Sequence, residues 1–295
     1  MHERWIITGA SGQLGGHLVR ALEQESPAPA LLALVGRSET GATGPSARYI
    51  DLADLDALRR AVAEFRPTHV IHTGAMTAVA DCFTAPARAQ LVNVQATAAL
   101  ADACVDAGAR LVFTSTDMVF DGQSAPYGED SPPSPLSVYG RTKVAAERIV
   151  RHSPGGLSVR IPLLYGLPRG GRRTTFAQQV AALREGRELK LFVDEFRTPL
   201  ALTDAARALL LLARSARTGL IHVAGPERLS RYELVARTAV VLGIAHPRLV
   251  PISRLDIASP EPRPMDLSLD ASRFAGEFPG FTPRAITRET VGSDA

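Results

Sequence analysis

Tyr139 and Lys143 stand four residues apart in Tyr139-Gly140-Arg141-Thr142-Lys143, the separation that puts two side chains on one face of a helix. A phenol and an ammonium held together suit one kind of chemistry. The cation lowers the phenol pKa, so Tyr139 can hand a proton to a carbonyl oxygen as a hydride reaches its carbon, and take the proton back in the reverse direction. Lys143 has a second use, as a hydrogen-bond donor to the ribose of a nicotinamide nucleotide. Tyrosine–lysine pairs also occur as plain contacts on helix surfaces. Yet of the 33 basic residues only Lys143 and Lys190 are lysines, and a lysine retained in so arginine-rich a chain fits a point-charge task that a planar guanidinium does poorly.

Upstream, Phe113-Thr114-Ser115-Thr116-Asp117-Met118-Val119-Phe120-Asp121-Gly122 follows an apolar run. Thr116 could orient a substrate carbonyl, although a hydroxyl-rich strand end can also satisfy its own backbone. Near the start, Thr8-Gly9-Ala10-Ser11-Gly12-Gln13-Leu14-Gly15 places glycines at 9, 12 and 15. Gly9 permits a tight turn, Gly12 lets a pyrophosphate approach the amides of a helix start, and Gly15 lets helix and strand pack closely. The spacing matches the usual dinucleotide fingerprint only in part. The next strand ends Val35-Gly36-Arg37-Ser38, with no acid for the ribose hydroxyls of NAD and with Arg37 and Ser38 able to hold the extra phosphate of NADP. NADPH is therefore favoured, with NADH as the alternative.

These groups need elements to position them. Apolar runs predict strands at Trp5–Thr8, Leu31–Val35, His69–Thr73, Arg110–Thr114 and Leu157–Ile161. Helical periodicity predicts helices over Gly12–Gln24, Asp54–Phe65, Pro86–Ala107 and Tyr139–His152. Such alternation indicates an α/β fold with a doubly wound parallel sheet of Rossmann type. Past Gly166 the pattern loosens. An Arg/Gly stretch at Arg169–Arg173 precedes a helix ending at Gly186 and a strand over Leu189–Val193. Thr203-Asp204 begins another helix, a capping box Ser230-x-x-Glu233 opens one more, and Pro260–Pro264 reads as a loop. The expected division is a dinucleotide-binding part over 1–165, joined by 195–223, and a smaller, partly interleaved substrate part over 166–194 and 224–295.

Composition removes several classes. The 295 residues, 45% hydrophobic, suffice for one large core with a smaller addition. The net charge of +3 comes without a basic block, so no nucleic-acid partner is expected. Cys82 and Cys104 form no metal-ligand pattern and no disulfide framework, and no apolar stretch has secretory or membrane-spanning length. A cytoplasmic protein without a membrane partner is expected, with a homodimer left open. Asp117 and Asp121 could form an acid/base or magnesium pair, but an Asp-Gly turn explains them more simply. No metal is expected.

The motifs together resemble the extended short-chain dehydrogenase/reductase superfamily, and within it the dTDP-4-dehydrorhamnose reductase group. The resemblance rests on the Thr-Gly-x-x-Gly-x-x-Gly loop, on Ser115-Thr116-Asp117-x-Val119-Phe120-Asp121-Gly122, on Pro126-Tyr127 with Glu129, and on Val138-Tyr139-Gly140-x-x-Lys143 with Glu147. Arg197-x-Pro199, Gly225-Pro226 and Arg263-Pro264 extend it more weakly. It implies Thr116, Tyr139 and Lys143 as the catalytic trio. It implies cofactor contacts from Gly9, Ser11, Gly12, Gln13 and Leu14, from Arg37, Ser38, Asp51 and Leu52, from Thr73, Gly74 and Ala75, and from Thr114, Ile161, Tyr139 and Lys143. Thr77, Thr116, Asp117, Met118 and Phe120 would face a nucleotide-linked sugar, with Arg197 and Arg263 gripping its phosphates through forked guanidinium groups.

The chain also departs from that group, which usually has Tyr at the place of Met118 and Ser-Trp at Pro162-Leu163. Both places would face the sugar, so its identity stays open. A sugar 4,6-dehydratase needs two acids after the Thr, and Met118 replaces the second. The expected function is an NAD(P)H-dependent reductase of a 4-keto deoxysugar nucleotide. A nucleotide-sugar epimerase holding NAD tightly would carry the same trio. A non-catalytic NADP-binding subunit, like the regulatory subunit of methionine adenosyltransferase, could keep the same fold.

Overall fold

A computed structural model of the protein describes residues 2–36, 46–169 and 173–292. Arg37 and Ser38, expected to select the cofactor, lie outside the described residues.

The chain runs β1 (Arg4–Thr8), α1 (Gln13–Glu23), β2 (Ala30–Val35), β3 (Ala47–Tyr49), α2 (Leu55–Phe65), β4 (His69–His72), α3 (Val79–Thr84), α4 (Pro86–Gln90), a π turn (Leu91–Gln95), α5 (Ala96–Ala107), β5 (Arg110–Thr116), a 3-10 turn (Asp117–Val119), α6 (Val138–His152) and β6 (Leu157–Ile161). It continues through β7 (Leu164–Tyr165), α7 (Thr175–Arg184), β8 (Leu189–Phe192), β9 (Phe196–Arg197), β10 (Leu200–Ala201), α8 (Leu202–Arg214), β11 (Gly219–His222), β12 (Leu229–Ser230), α9 (Arg231–Val241), β13 (Leu249–Ile252), α10 (Ser272–Glu277) and α11 (Arg288–Val291). Seven strands form one parallel sheet in the order β11-β6-β5-β4-β1-β2-β3. This is the Rossmann-type sheet expected from the alternation.

Strand periodicity explains how both faces are covered. Along β1, Trp5 and Ile7 enter the core under α1 and α8, while Ile6 enters the opposite core under α2, α5 and α6. β5 repeats the division, with Val112 on the first side and Leu111 and Phe113 on the second. Strand order reverses between β1 and β4, so the loops after these neighbours diverge and leave a crevice at the carboxyl edge.

Three features differ from the sequence reading. β3 is an edge strand of only Ala-Arg-Tyr and carries no apolar run to betray it. β11 adds the seventh strand by pairing with β6, after α8 has packed against α1. The expected helix over Pro86–Ala107 is instead α4, the π turn and α5. At that turn Asn93 accepts from the Met76 amide at 2.8 Å and donates to Met76 O and Thr142 Oγ1, each at 3.0 Å. A π turn is a frequent sign that a helix is distorted to serve a site. Among the described residues no helix is long and apolar enough to cross a membrane.

Candidate active site

The glycine loop and the loop after β4 touch at backbone distance. Gly9 has φ +64°, and a Cβ there would come within 2.7 Å of Gly74 Cα. A Cβ on Gly15 would lie 2.2 Å from Gly9 O, so the close helix–strand approach expected of Gly15 is realised. Gly12 begins α1 with no side-chain cap, so amide donors at the helix start are left to an anion. Thr73 Oγ1 donates to Thr8 O at 2.7 Å, and Gly74 is also closed in by Leu52, whose Cδ1 a Cβ would meet at 2.8 Å. Ser11, Gln13 and Ala75 remain partly accessible around this cradle, and Leu14 is buried below it. The cradle fits a dinucleotide pyrophosphate: its walls are backbone and its centre tolerates no side chain. Asp51 borders the same edge and pairs with Arg88 at 2.9 Å.

A neutral hydrogen-bond chain supports the cradle from beneath. Thr97 Oγ1 donates to Asn93 O at 2.8 Å, so its contact with His72 Nε2 at 3.1 Å is made as acceptor. His72 therefore carries its proton on Nε2, and Nδ1 accepts from Thr8 Oγ1 at 2.6 Å. Burial, helped by the nearby Lys143 charge, pulls His72 down to about 3, which keeps the ring neutral. Thr114 Oγ1 closes onto His72 O at 3.0 Å.

The catalytic candidates stand at the end of β5 and the start of α6. Thr116 ends β5, accepts from the Met118 amide at 3.2 Å and donates to Asp117 Oδ1 at 3.1 Å. Ser137 caps α6 by accepting from the Gly140 amide at 3.0 Å, which fixes Tyr139 in the first turn and Lys143 one turn later. A Cβ on Gly140 would sit 2.3 Å from Met118 O, so α6 approaches the 3-10 turn at this glycine. Tyr139 is 9% exposed and Lys143 3%. Burial pushes the Tyr139 phenol well above its ordinary range, against the nearby Thr116 hydroxyl, with Asp117 also raising it. The depression expected from Lys143 does not act here: the hydroxyl of Thr116 is the group that pulls the phenol down, and burial overrides it. Lys143 Nζ lies 4.0 Å over the Phe113 ring. Burial pulls it down to about 7 against the pull of Glu147. A buried ammonium resting on a ring face suits a hydroxyl acceptor such as a ribose.

The remaining candidates divide. Ile161 pairs in register with Thr116 and is buried in the core under α1 and α8, and Met118 is partly buried between Tyr139 and the Val119 cluster. Thr77 is exposed at the rim. Phe120, expected beside the sugar, is only 1% exposed and stacks on Tyr127 at 4.1 Å, with the Arg160 guanidinium 4.9 Å from its ring centroid; it is core. Arg160 is itself held by Glu147 through two bonds of 2.8 Å, which ties β6 to α6 below Lys143. Asp117 and Arg197, both expected to face substrate, face one another at 3.1 Å. Arg263 pairs with Glu195 at 2.8 Å. Sequence reasoning passed over Asn93, Glu195 and Arg231. A polar amide inside the apolar run Leu91-Val92-Asn93-Val94 was the signal for the first.

Comparison with known proteins places this geometry. Residues 3–290 match the family model described as the RmlD substrate binding domain. A dTDP-4-dehydrorhamnose reductase of Streptomyces griseus is 36% identical over 92% of this chain and 86% of its own. The methionine adenosyltransferase 2 subunit beta of Xenopus tropicalis is 31% identical over 92% of this chain and 81% of its own. The crystal structure of dTDP-4-dehydrorhamnose reductase from Bacillus anthracis in complex with NADP superposes with a TM-score of 0.85 at 24% identity, covering 99% of this chain and 98% of that one. The chain belongs to the RmlD substrate-binding domain family, the dTDP-4-dehydrorhamnose reductase group of the extended short-chain dehydrogenases/reductases.

Proposed function

We propose that this protein is an NADPH-dependent reductase of a nucleotide-linked 4-keto deoxysugar, with a dTDP-linked sugar as the first candidate and Tyr139 as the proton donor. One observation carries the reading: a buried phenol and a buried lysine amine stand with Thr116 at the carboxyl edge of the sheet, beside a cradle of closely approaching glycines. When bound, the dinucleotide supplies the hydride. Thr116, whose hydroxyl donates to Asp117 Oδ1 in the free protein, turns that donor to the carbonyl when substrate binds and holds it in line with the phenol. Tyr139 gives its proton to the carbonyl oxygen as that oxygen gains charge. Lys143 holds the ribose and stabilises the phenolate that remains. Asn93 ties the Met76 backbone to the Thr142 hydroxyl of α6, which braces the helix presenting both residues.

NADPH is favoured over NADH because no acid ends the second strand and Arg37 with Ser38 can take a phosphate. The cofactor half is 1–165 with 195–223, the portion carrying β11 and α8, and the substrate half is 166–194 with 224–295. A cytoplasmic location and a homodimer complete the proposal. Purified protein should consume NADPH with a dTDP-linked 4-keto-6-deoxysugar. No consumption of NADPH or NADH with any dTDP- or GDP-linked keto sugar would overturn the reading, and tightly bound NAD in the fresh protein's absorbance spectrum would replace it with an epimerase.

The relation to the Xenopus subunit favours a second reading, a dinucleotide-binding regulatory subunit. NADPH binding without turnover, together with a co-purifying methionine adenosyltransferase, would select it.

A further inference from the structure

Behind the catalytic candidates, three elements meet at one buried carboxylate. Alternation along β5 turns Phe113 and Ser115 to the same side of the sheet, toward α6. Ser115 pairs in register with Arg160 of β6, so both side chains rise from neighbouring strands under the same helix. On α6, Lys143 and Glu147 are four residues apart and share a face. Two contacts therefore stand side by side. Lys143 Nζ lies 4.0 Å over the Phe113 ring, and Glu147 takes Ser115 Oγ on Oε1 at 2.5 Å. Arg160 closes on the same carboxylate, with Nε 2.8 Å from Oε1 and Nη2 2.8 Å from Oε2.

Arg160 is held on a third edge as well. His222 of β11 has the carbonyls of Tyr127 and Asp270 each 3.2 Å from Nδ1. Carbonyls only accept, so Nδ1 carries the proton and Nε2 is left to accept from Arg160 Nη1 at 3.4 Å. Burial, with the Arg160 charge, pulls His222 down to about 4 and keeps that ring neutral. Glu147 is thus fixed from two strands at 7% exposure, where solvent screens its charge little.

The other groups around Lys143 are uncharged or engaged elsewhere. β5 contributes the Phe113 ring, β4 the neutral His72 ring, the π turn Asn93, and α6 the Tyr139 phenol one turn earlier. Asp117 of the 3-10 turn faces Arg197 at 3.1 Å, and Glu261 accepts from the Val138 amide at the α6 start at 2.7 Å. Cys82 of α3, in the cluster around Tyr139, is pushed up to about 11 by burial and remains a thiol. Burial pulls Lys143 down to about 7, and Glu147 is the charge that opposes it.

We propose that Glu147 is a positioning residue for Lys143: it fixes a negative charge one helical turn from the amine, and Ser115 and Arg160 hold that charge in place. The inference rests on Lys143 being the ribose-holding cation of the proposed function. Only the charged form of the amine can steady a phenolate, so the bias that Glu147 supplies sets what share of the molecules is competent.

Because the chain has only two lysines, Lys143 and Lys190, the charge can be read directly. Isotopic labelling of the lysine ε carbon gives one NMR signal for each, and Lys143→Arg identifies the signal that belongs to Lys143. In wild type that signal should titrate at about 7. Glu147→Gln keeps the shape and removes the charge, and should move the titration down by about one pH unit. Glu147→Gln with Arg160→Met removes both charges and should titrate between the two, and it carries the test if the single variant does not fold. NADPH affinity at pH 7 should fall about fivefold in Glu147→Gln, as the charged fraction drops from about a half to about a tenth, and the gap should narrow as pH is lowered. A residue that merely packs would lower the melting temperature and leave the titration in place. An unmoved Lys143 titration in folded Glu147→Gln, or in the double variant, would overturn the positioning role. A moved titration with weakened NADPH binding in a protein that turns over no keto sugar would leave that role standing and overturn the reductase reading. Turnover in wild type with an unmoved titration in the variants would do the opposite.

Discussion

The two walls of the cleft are made of different interactions. The wall proposed for the cofactor is neutral: glycines at 9, 15 and 74 in backbone contact, and a hydroxyl–imidazole–hydroxyl chain through Thr8, His72 and Thr97. The opposing wall is ionic: Asp117 with Arg197, Glu195 with Arg231 and Arg263, and Asp266 with Arg228. A wall of backbone suits a ligand whose shape is always the same, and a wall of paired charges can be re-specified by changing one partner. The proposed catalytic pair, Tyr139 and Lys143, stands between them on α6, so the largest effects should come from residues belonging to neither wall. Tyr139→Phe removes the proposed proton donor and should cost about 10²- to 10⁴-fold in turnover. Lys143→Arg should lose most turnover as well, because a larger planar guanidinium at a buried position does poorly the point-charge task of holding a ribose hydroxyl. Circular dichroism should show both folded. Near-wild-type rates in either would separate catalysis from this pair.

The contrast also explains what the sequence revealed. Glycine spacing, the Tyr-x-x-x-Lys pair and five of the seven sheet strands are local patterns, each written in fewer than about ten residues in the way periodicity and turn rules require. The ionic wall is written across long separations; Glu195 and Arg263 are 68 residues apart, and nothing local distinguishes Arg231 from other arginines in an Arg-rich chain. Phe120 misled for the same reason: its place in a motif says that it lies near the site, while only packing shows that it faces Tyr127 and Arg160. β3 escaped because an edge strand needs no apolar run, and Asn93 because a break in a helix is a tertiary event.

The ionic wall should break harder than the neutral one. Asp117→Ala leaves Arg197 buried and unpaired and should cost about 3–5 kcal/mol in denaturant unfolding. The double variant Asp117→Leu with Arg197→Met, which removes both charges, should recover most of that loss. A single-variant loss under about 1 kcal/mol, a size typical of exposed pairs, would mean the pair is not a buried unit.

Gly15→Ala tests the neutral wall. Its Cβ would meet the Gly9 carbonyl at 2.2 Å and Ala10 Cα at 2.8 Å, both backbone, so relief requires α1 to move. The expected cost is about 1–3 kcal/mol in stability, with a larger loss of dinucleotide affinity measured by fluorescence titration. Unchanged affinity would show that the α1 start is not part of the cofactor site.

Acid should produce the smallest effect, and it can be assigned to one wall. Burial lowers His72 from 6.5 to about 3 and His222 to about 4. A group with a lowered folded pKa contributes stability that is fully present above the unfolded value and is lost as pH falls through the window below it, because the unfolded chain binds the proton first. Each histidine should therefore cost about 1 kcal/mol by pH 6, with the loss steepening toward about 1.4 kcal/mol per further unit. Asp117 does not add to this loss, since burial raises its folded pKa and so favours the fold as pH falls. Protonating His72 would turn Nδ1 from acceptor to donor against Thr8 Oγ1, which already receives the Gly74 amide at 3.1 Å, and would set a second cation beside Lys143. His72→Gln should consequently reduce proton uptake on unfolding by about one between pH 5 and 6, while His222→Gln should act independently on the pocket formed by Arg160, Tyr127 and Asp270. An unchanged slope in His72→Gln would mean that the cofactor wall does not depend on a neutral imidazole.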